Sequence, residues 1–244
     1  MIRILLMTIA FIAVIVMNAL ANSLPLNGQT TGEISNRLPV LFTPAGYVFS
    51  IWSIIYLLLA IWIIAFWARL KKGQTPSSKI ALFFILSCIF NISWLLLWHY
   101  EFFVWSIVAM LGYLLALIAL YLQYSNSERK FTERLPISIN LGWISVATIT
   151  NISFVLTYYN WNGWGLSDQL WTVIMLTVAT ALALHVRFHH FDIPFALVFI
   201  WAFIGIAVKH GTGEMLVTTA ALFLSGVILT GVLLIKKRTA PAVQ

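Results

Sequence analysis

The sequence predicts an all-α fold, a polytopic membrane helix bundle with about eight transmembrane helices. Of its 244 residues, 61% are hydrophobic and only 9% are charged, and the mean hydropathy is +0.97. A soluble domain of this length could not bury so many apolar side chains, so much of the surface must face lipid. The apolar runs have the length of membrane helices, and they lack the short alternating pattern of barrel strands.

Eight apolar runs follow one another along the chain, each close to the roughly 20 residues that a helix needs to cross a bilayer. Pro194 stands in the first turn of the seventh run, where a missing amide hydrogen costs little. The first run also resembles a signal peptide, since Ala19-Leu20-Ala21 ends it, but its length favours retention in the mature protein. The runs span residues 4–21, 47–68, 80–98, 103–124, 137–158, 169–186, 193–208 and 215–235.

The basic residues predict the orientation of these helices. If the N-terminus is cytoplasmic, all of the 14 Lys and Arg except Arg37 and Lys209 lie in cytoplasmic segments or span ends. The positive-inside rule is then satisfied with both termini in the cytoplasm. We therefore expect a multi-pass protein of the cell (inner) membrane. The net charge of +7 follows from this topology and forms no basic stripe, so no nucleic-acid partner is predicted.

The segment 22–45 is the longest connection between predicted helices, and turn-forming residues such as Asn27-Gly28 and Pro39 dominate it. Loops of this length are uncommon unless they act as lids or binding loops, or are disordered. We expect this segment to lie outside the membrane, and its length alone leaves the three alternatives open.

The chain that follows Pro44 carries an aromatic face. Phe49, Trp52 and Tyr56 are spaced by three and four residues, so a helix places them on one side. Aromatic residues near a helix end also form interfacial belts, and that alternative stays open.

The third and fifth predicted spans carry further polar and aromatic residues at helical spacing, namely Asn91 and Trp94, and Trp143, Ala147 and Asn151. Joined to the first aromatic face, they predict a pocket walled by indoles and floored by two carboxamides, with Ala147 and Gly142 leaving room. Such a pocket suits a large, flat, mostly apolar ligand. Alternatively, Asn91 and Asn151 hydrogen-bond neighbouring helices as packing contacts.

Three segments together resemble a known family. FTPAGYVFSIWSIIY, LSCIFNISWLLLW and LPISINLGWISVATITN are similar to the hallmark segments of the TspO/MBR family, the tryptophan-rich sensory proteins related to the mitochondrial translocator protein. The resemblance covers residues 1–158 and implies a five-helix TspO-like core. Residues 159–244 would then be a C-terminal extension of three extra membrane helices, on which the resemblance is silent.

The resemblance also implies a function, the binding of porphyrins and other tetrapyrroles, with the long first loop, residues 22–45, as an external lid. Protoporphyrin IX or haem is the expected ligand, with no cofactor required. Trp52 and Trp143 match the two pocket tryptophans of the family, and other motif positions are matched by Pro44, Phe49, Tyr56, Asn91, Trp94, Ala147 and Asn151. Two features depart from the family pattern: Pro44-Ala45 stands where Pro-Pro is usual, and the residues after Asn151 lack the sterol-binding pattern.

We therefore interpret the chain as a membrane-embedded binder or sensor of a flat apolar ligand, with a regulatory role. A facilitative transporter or channel-like carrier of an amphiphilic molecule is the alternative, although acids confined to loops and span ends disfavour ion coupling. No catalytic or metal motif is present, and the resemblance implies at most slow porphyrin photodegradation. The expected partners are the lipid bilayer and the ligand, and the small-residue pair Ala179 and Ala183 leaves a homodimer open.

Three groups in the extension have open interpretations. Trp161 and Trp164 either sit at the membrane interface or rim the pocket. The cluster of His185, Arg187, His189, His190 and Asp192 is expected to be solvated at a span end, with metal binding as the alternative. Lys209 and His210 are expected to belong to a solvated loop.

Overall fold

A computed structural model describes residues 1–24, 26–125 and 131–236, without the side chains of residues 125, 131 and 132. Within these ranges the chain forms nine α-helices. They are α1 (Ile2–Ser23), α2 (Thr31–Asn36), α3 (Ile51–Leu70), α4 (Ser78–His99), α5 (Phe103–Ser125), α6 (Phe131–Tyr158), α7 (Asp168–His190), α8 (Ile193–His210) and α9 (Met215–Leu234).

Eight of the described helices are long and apolar enough to cross a membrane, and they coincide with the eight predicted runs. The prediction of an all-α, multi-span membrane protein is therefore confirmed. The largest difference is at α6, which begins at Phe131 and includes Pro136, whereas the predicted run begins at residue 137. Charged residues precede Pro136, so hydropathy alone could not reveal this first part of the helix. The basic residues Arg129, Lys130, Lys237 and Arg238 lie outside the described residues.

Five of the membrane helices form a closed ring. Going round it, α1 contacts α3, α3 contacts α6, α6 contacts α5, α5 contacts α4, and α4 returns to α1. The predicted five-helix core is thus present as a bundle with an interior of its own. The large buried side chains of these helices include Phe84, Phe103 and Phe154.

The other three membrane helices, α7, α8 and α9, contact one another and join the ring chiefly through α8. Small residues allow this contact, because a Cβ atom on Gly142 of α6 would meet the Phe195 carbonyl oxygen at 3.1 Å. Gly142 was expected to leave room for a ligand, but α8 fills that space. Ala179 and Ala183 are fully buried within the chain, so they present no surface to a second copy. The division of function at residue 158 remains a prediction.

A buried ion pair fixes the turn between α7 and α8 to the ring. Asp192 is fully buried, and its carboxylate lies 3.2 Å from Arg134 Nε. It also accepts hydrogen bonds from Tyr121 and Ser138, at 2.9 and 2.6 Å. A buried carboxylate requires such partners, since desolvation of an unpaired charge is costly. The prediction that Asp192 is solvated was wrong, because its partners come from α5 and α6, far away in the sequence. It was wrong for Arg187 too, which is 5% exposed and donates to the Val232 carbonyl of α9 at 3.0 Å.

The segment 22–45 is more ordered than a simple loop, since it contains the short helix α2. Thr30 and Glu33 form a capping box at the start of α2, in which each side chain bonds the other's backbone amide. Contacts with His99 and Glu101 attach this half of the segment to the ring of five helices. The His99 ring bonds the Thr31 hydroxyl at 2.9 Å and the Leu26 carbonyl at 3.2 Å, and Arg37 pairs with Glu101 at 2.6 Å.

The second half of the segment is held by α8. His210 Nε2 donates to the Leu41 carbonyl at 2.8 Å, and Lys209 Nζ donates to Asn36 Oδ1 at 3.3 Å. Trp201 Nε1 donates to the Val48 carbonyl at 3.1 Å. Lys209 is exposed and His210 is half-buried. Both were expected in a solvated loop, but they lie in the last turn of α8 and bond to the segment 22–45. The extension therefore supports the predicted lid.

Candidate functional site

Four side chains of α3 and α6, and of the turn before α3, meet in one group, which we call the aromatic cluster: Phe49, Trp52, Tyr56 and Trp143. The rings of Trp52 and Tyr56 stack at 5.5 Å between centroids. Trp143 meets Phe49 at 5.7 Å and Trp52 at 6.2 Å, in both cases edge to face. The predicted common face of residues 49, 52 and 56 is present, although a 3₁₀ turn over Gly46–Ser50 precedes α3.

The aromatic cluster contains hydrogen-bond donors that have no acceptor. Trp143 is only 2% exposed, and neither its Nε1 atom nor the Tyr56 hydroxyl has a hydrogen-bond partner among the described residues. The same holds for the Nε1 atoms of Trp94 and Trp98, whose rings stack at 6.0 Å in α4. Leaving one buried donor unpaired costs about 1–3 kcal/mol. These groups are therefore available to a ligand or water that carries acceptor atoms.

Next to the aromatic cluster, the interior of the five-helix ring contains a group of polar side chains. The Tyr113 hydroxyl donates to Asn140 Oδ1 at 3.1 Å, which links α5 to α6. Tyr113 also interacts electrostatically with Tyr56, Cys88 and Asn91, so α3, α4, α5 and α6 converge here. Tyr113 and Asn140 were not among the predicted site residues. The rule that intramembrane polar side chains need partners would have found Asn140.

A second feature is an open cavity of about 440 Å³ at the end of the bundle that carries the segment 22–45. We call it the side cavity. Its size falls within the roughly 300–1,000 Å³ that is usual for ligand pockets. It contains none of the aromatic cluster and lies between residues 39–42, the last turns of α6, the turn 160–163 and the start of α7. The lining residues are Pro39, Val40, Leu41, Phe42, Ile152, Ser153, Leu156, Thr157, Asn160, Trp161, Gly163, Asp168, Trp171, Thr172 and Met175.

Comparison with known protein families identifies the family of this chain. Residues 4–234 match the family model described as TSPO-like protein. The chain belongs to the TSPO-like protein family. This match confirms the predicted resemblance and extends it, since it includes α7, α8 and α9. No curated protein and no solved structure matches the chain. Membership supports a role as a membrane-embedded ligand-binding or regulatory protein.

In this TSPO-like protein the nine predicted site residues do not form a single group. The aromatic cluster holds four of them in contact. Pro44 and Asn151 contact other helices. Pro44 packs against Gly205 of α8, where an added Cβ atom would lie 3.2 Å from it, and Asn151 Nδ2 donates to Ser106 of α5 at 3.1 Å. Ala147 is partly buried in α6.

Asn91 and Trp94 occupy an intermediate position. Asn91 Oδ1 accepts a hydrogen bond from Asn18 of α1 at 3.0 Å, as the packing interpretation predicts. Its Nδ2 atom makes no hydrogen bond of normal geometry, although Tyr113 is close. Trp94 is 8% exposed and carries an unpaired donor. The two carboxamides therefore do not form a common floor, since each is bonded to a different helix.

Proposed function

We propose that this TSPO-like protein binds a flat tetrapyrrole, such as protoporphyrin IX, at the aromatic cluster and acts as a membrane sensor of that ligand. The observation that carries the proposal is the set of buried, unpaired donors around indole rings. A macrocycle would stack on the rings of Trp52 and Trp143, and its carboxyl groups would accept the hydrogen bonds of donors that have no acceptor among the described residues.

Binding requires the rings of the cluster to separate, since they contact one another. An edge-to-face aromatic pair contributes only about 0.5–1.5 kcal/mol beyond its buried area. A ligand that stacks on the same rings replaces that contribution, so an apolar macrocycle can separate the rings at little net cost in free energy. The segment 22–45 would then cover the ligand, held between the α4–α5 turn and α8.

The test is a titration of protoporphyrin IX followed by its Soret absorption, with the full chain in lipid nanodiscs and empty nanodiscs as the blank. Trp143→Phe keeps an aromatic ring but removes the Nε1 donor, and we expect affinity to fall about tenfold. Trp105→Phe is the matched control, because Trp105 is 62% exposed on the lipid-facing side of α5. Equal affinity of both variants and the unmodified chain would refute the proposal.

A second ligand tests the role of the acceptor atoms. An alkyl porphyrin without carboxyl groups has the same macrocycle but cannot accept the hydrogen bonds. It should bind more weakly than protoporphyrin IX, and its affinity should not change in Trp143→Phe. An alkyl porphyrin that binds as tightly as protoporphyrin IX would contradict the assigned role of the donors.

We also propose that both termini lie in the cytoplasm, as the basic residues predict. Ser23 and Gln74 are exposed at opposite ends of the bundle, so a cysteine at either position reports its side of the membrane. In a chain with Cys88→Ala, an impermeant maleimide should label Ser23→Cys in intact cells and leave Gln74→Cys unlabelled. The reverse labelling would reject this orientation.

A further inference from the structure

The side cavity is a candidate binding site that is separate from the aromatic cluster and independent of the proposed tetrapyrrole site. Its walls are mainly apolar. Val40 and Phe42 are 4% and 1% exposed on one side, and Ile152, Leu156 and Met175 lie on the other. An apolar body of moderate size would therefore be sheltered between the segment 22–45 and α6.

Three of the donors that line this cavity are already paired within the protein. The Thr157 and Thr172 hydroxyls donate to carbonyl oxygens of their own helices, at 2.9 and 2.7 Å. Trp171 Nε1 donates to the Gly163 carbonyl at 2.6 Å. The lining also includes the Asp168 carboxylate, which accepts hydrogen bonds and carries a negative charge, so it favours a ligand with a positive charge.

Asp168 supplies a negative charge at the mouth of the cavity. Among the described acids at this end of the bundle, Glu101 pairs with Arg37, Glu33 belongs to a helix cap, and Glu214 accepts from a glutamine. The exposed Asp168 carboxylate has neither an ion pair nor a hydrogen bond within the described ranges. Asp168 stands in the first turn of α7, where the helix dipole favours an acid. The dipole does not neutralise the carboxylate, so its negative charge can still attract a cation.

Indole rings surround the same mouth. Trp161 and Trp171 are 5.1 Å apart between ring centroids, and Trp164 lies 5.4 and 5.6 Å from them. The turn that places them adopts positive φ angles at Asn160 and Trp164, of 52° and 50°. Such a backbone is unfavourable for residues other than glycine, so the surrounding contacts hold the turn in this form.

An unpaired carboxylate beside tryptophan rings is the chemistry that recognises ammonium groups, because the faces of indoles attract cations. We propose that the side cavity binds an amphiphilic organic ammonium, whose charged group lies beside Asp168 and the indoles of Trp161 and Trp171. The apolar part of this ligand enters between residues 39–42 and α6. Tryptophans at this depth also suit an interfacial belt, which requires no such ligand.

The experiment measures binding of benzyltrimethylammonium by calorimetry, with the full chain in phosphatidylglycerol nanodiscs and empty nanodiscs as the blank. Neopentylbenzene, which has the same shape and no charge, is the reference ligand. We expect the cation to bind at least about tenfold more tightly than the neutral molecule, and Asp168→Asn to remove most of that preference. Trp161→Leu should weaken cation binding severalfold.

Matched controls separate the cavity from general charge effects. Glu214→Gln removes one negative charge at the same end but outside the cavity, and Trp105→Leu removes a lipid-facing indole. Both should bind the cation as the unmodified chain does. Equal affinity for the two ligands, or equal losses in Asp168→Asn and Glu214→Gln, would overturn the proposal and leave the interfacial belt as the explanation.

The ammonium group could belong to a free solute or to a lipid headgroup. Nanodiscs that also contain phosphatidylethanolamine distinguish the two sources. If the headgroup occupies the cavity, these nanodiscs should compete with the soluble cation in the unmodified chain and show no competition effect in Asp168→Asn. If binding of the cation is unchanged by the lipid, a free solute is the ligand class.

Discussion

The aromatic cluster and the side cavity both border α6, the cluster at Trp143 and the cavity at residues 152–157, and they differ in openness and polarity. In the cluster the rings contact one another, and buried donors lack acceptors among the described residues. In the cavity there is open volume, three lining donors are already paired within the protein, and the Asp168 carboxylate is unpaired within the described ranges. This contrast is the basis of the two proposals, a site for an acceptor-bearing macrocycle at the cluster and a site for a cation in the cavity.

The largest expected effect comes from the combined change Trp52→Ala and Trp143→Ala. It removes both stacking surfaces, so the affinity for protoporphyrin IX should fall at least about a hundredfold. The affinity for benzyltrimethylammonium should change by less than about twofold, since neither residue lines the side cavity. Parallel losses of both ligands would show that the two regions are not independent. Because the change also opens a cavity in the core, thermal unfolding of the variant must be measured beside binding.

The next effect concerns Gly205, which lets α8 approach the start of α3. A Cβ atom at this position would lie 2.1 Å from Val48 Cγ2, and Val48 is fully buried. Gly205→Ala should therefore destabilise the protein by about 1–3 kcal/mol and weaken binding at the cluster. Reaction of the buried Cys88 with a thiol-specific dye during heating measures the unfolding midpoint.

Gly226→Ala is the control for that change. Gly226 is also in a membrane helix, but a Cβ atom there would meet no other atom within 4 Å. Alanine favours helix over glycine, so this variant should keep or slightly raise the midpoint. A midpoint that falls equally in both variants would show that the close approach of α8 at Gly205 does not cause the loss of stability.

A smaller effect is expected from His210→Ala, which removes the donor to the Leu41 carbonyl. A lost hydrogen bond of this kind corresponds to about 1 kcal/mol, or roughly a fivefold rise in hydrogen exchange over residues 38–43. Affinity for the ammonium probe should fall severalfold, because residues 39–42 line the side cavity. His189→Ala is the control, since that ring bonds only within its own helix at the opposite end. Exchange that stays unchanged in His210→Ala would remove α8 as the support of this segment.

The smallest effect is the pH dependence of helix α2. Hydrogen bonds from the backbone amide and then the hydroxyl of Thr30 lower the pKa of Glu33 below its ordinary value of 4.5. Because the folded pKa is lowered, the stabilisation is complete above pH 4.5 and is lost as the pH falls through the lowered value. Exchange protection of residues 31–36 should therefore differ between the unmodified chain and Glu33→Gln at neutral pH and converge in acid. A difference that persists unchanged in acid would contradict the capping box.

The helices were predictable because length, hydropathy and 3.6-residue periodicity are local properties. The aromatic face of Phe49, Trp52 and Tyr56 and its meeting with Trp143 followed from spacing together with family likeness. The support of the segment 22–45 by α8 could not be predicted, since His210 and Leu41 are 169 positions apart and neither lies in a recognisable motif. The partners of Asn151 and Asp192 were missed for the same reason: spacing gives the face of a helix, but it does not identify the opposing helix.

The central proposal is that a tetrapyrrole binds at the aromatic cluster, between Trp52 of α3 and Trp143 of α6. An experimental structure of the full chain with protoporphyrin IX tests it most directly. The account predicts the macrocycle between the rings of Trp52 and Trp143, with Trp143 Nε1 or the Tyr56 hydroxyl bonded to a carboxyl group. Density for the macrocycle in the side cavity, with Trp52 and Trp143 still in contact, would contradict the claim.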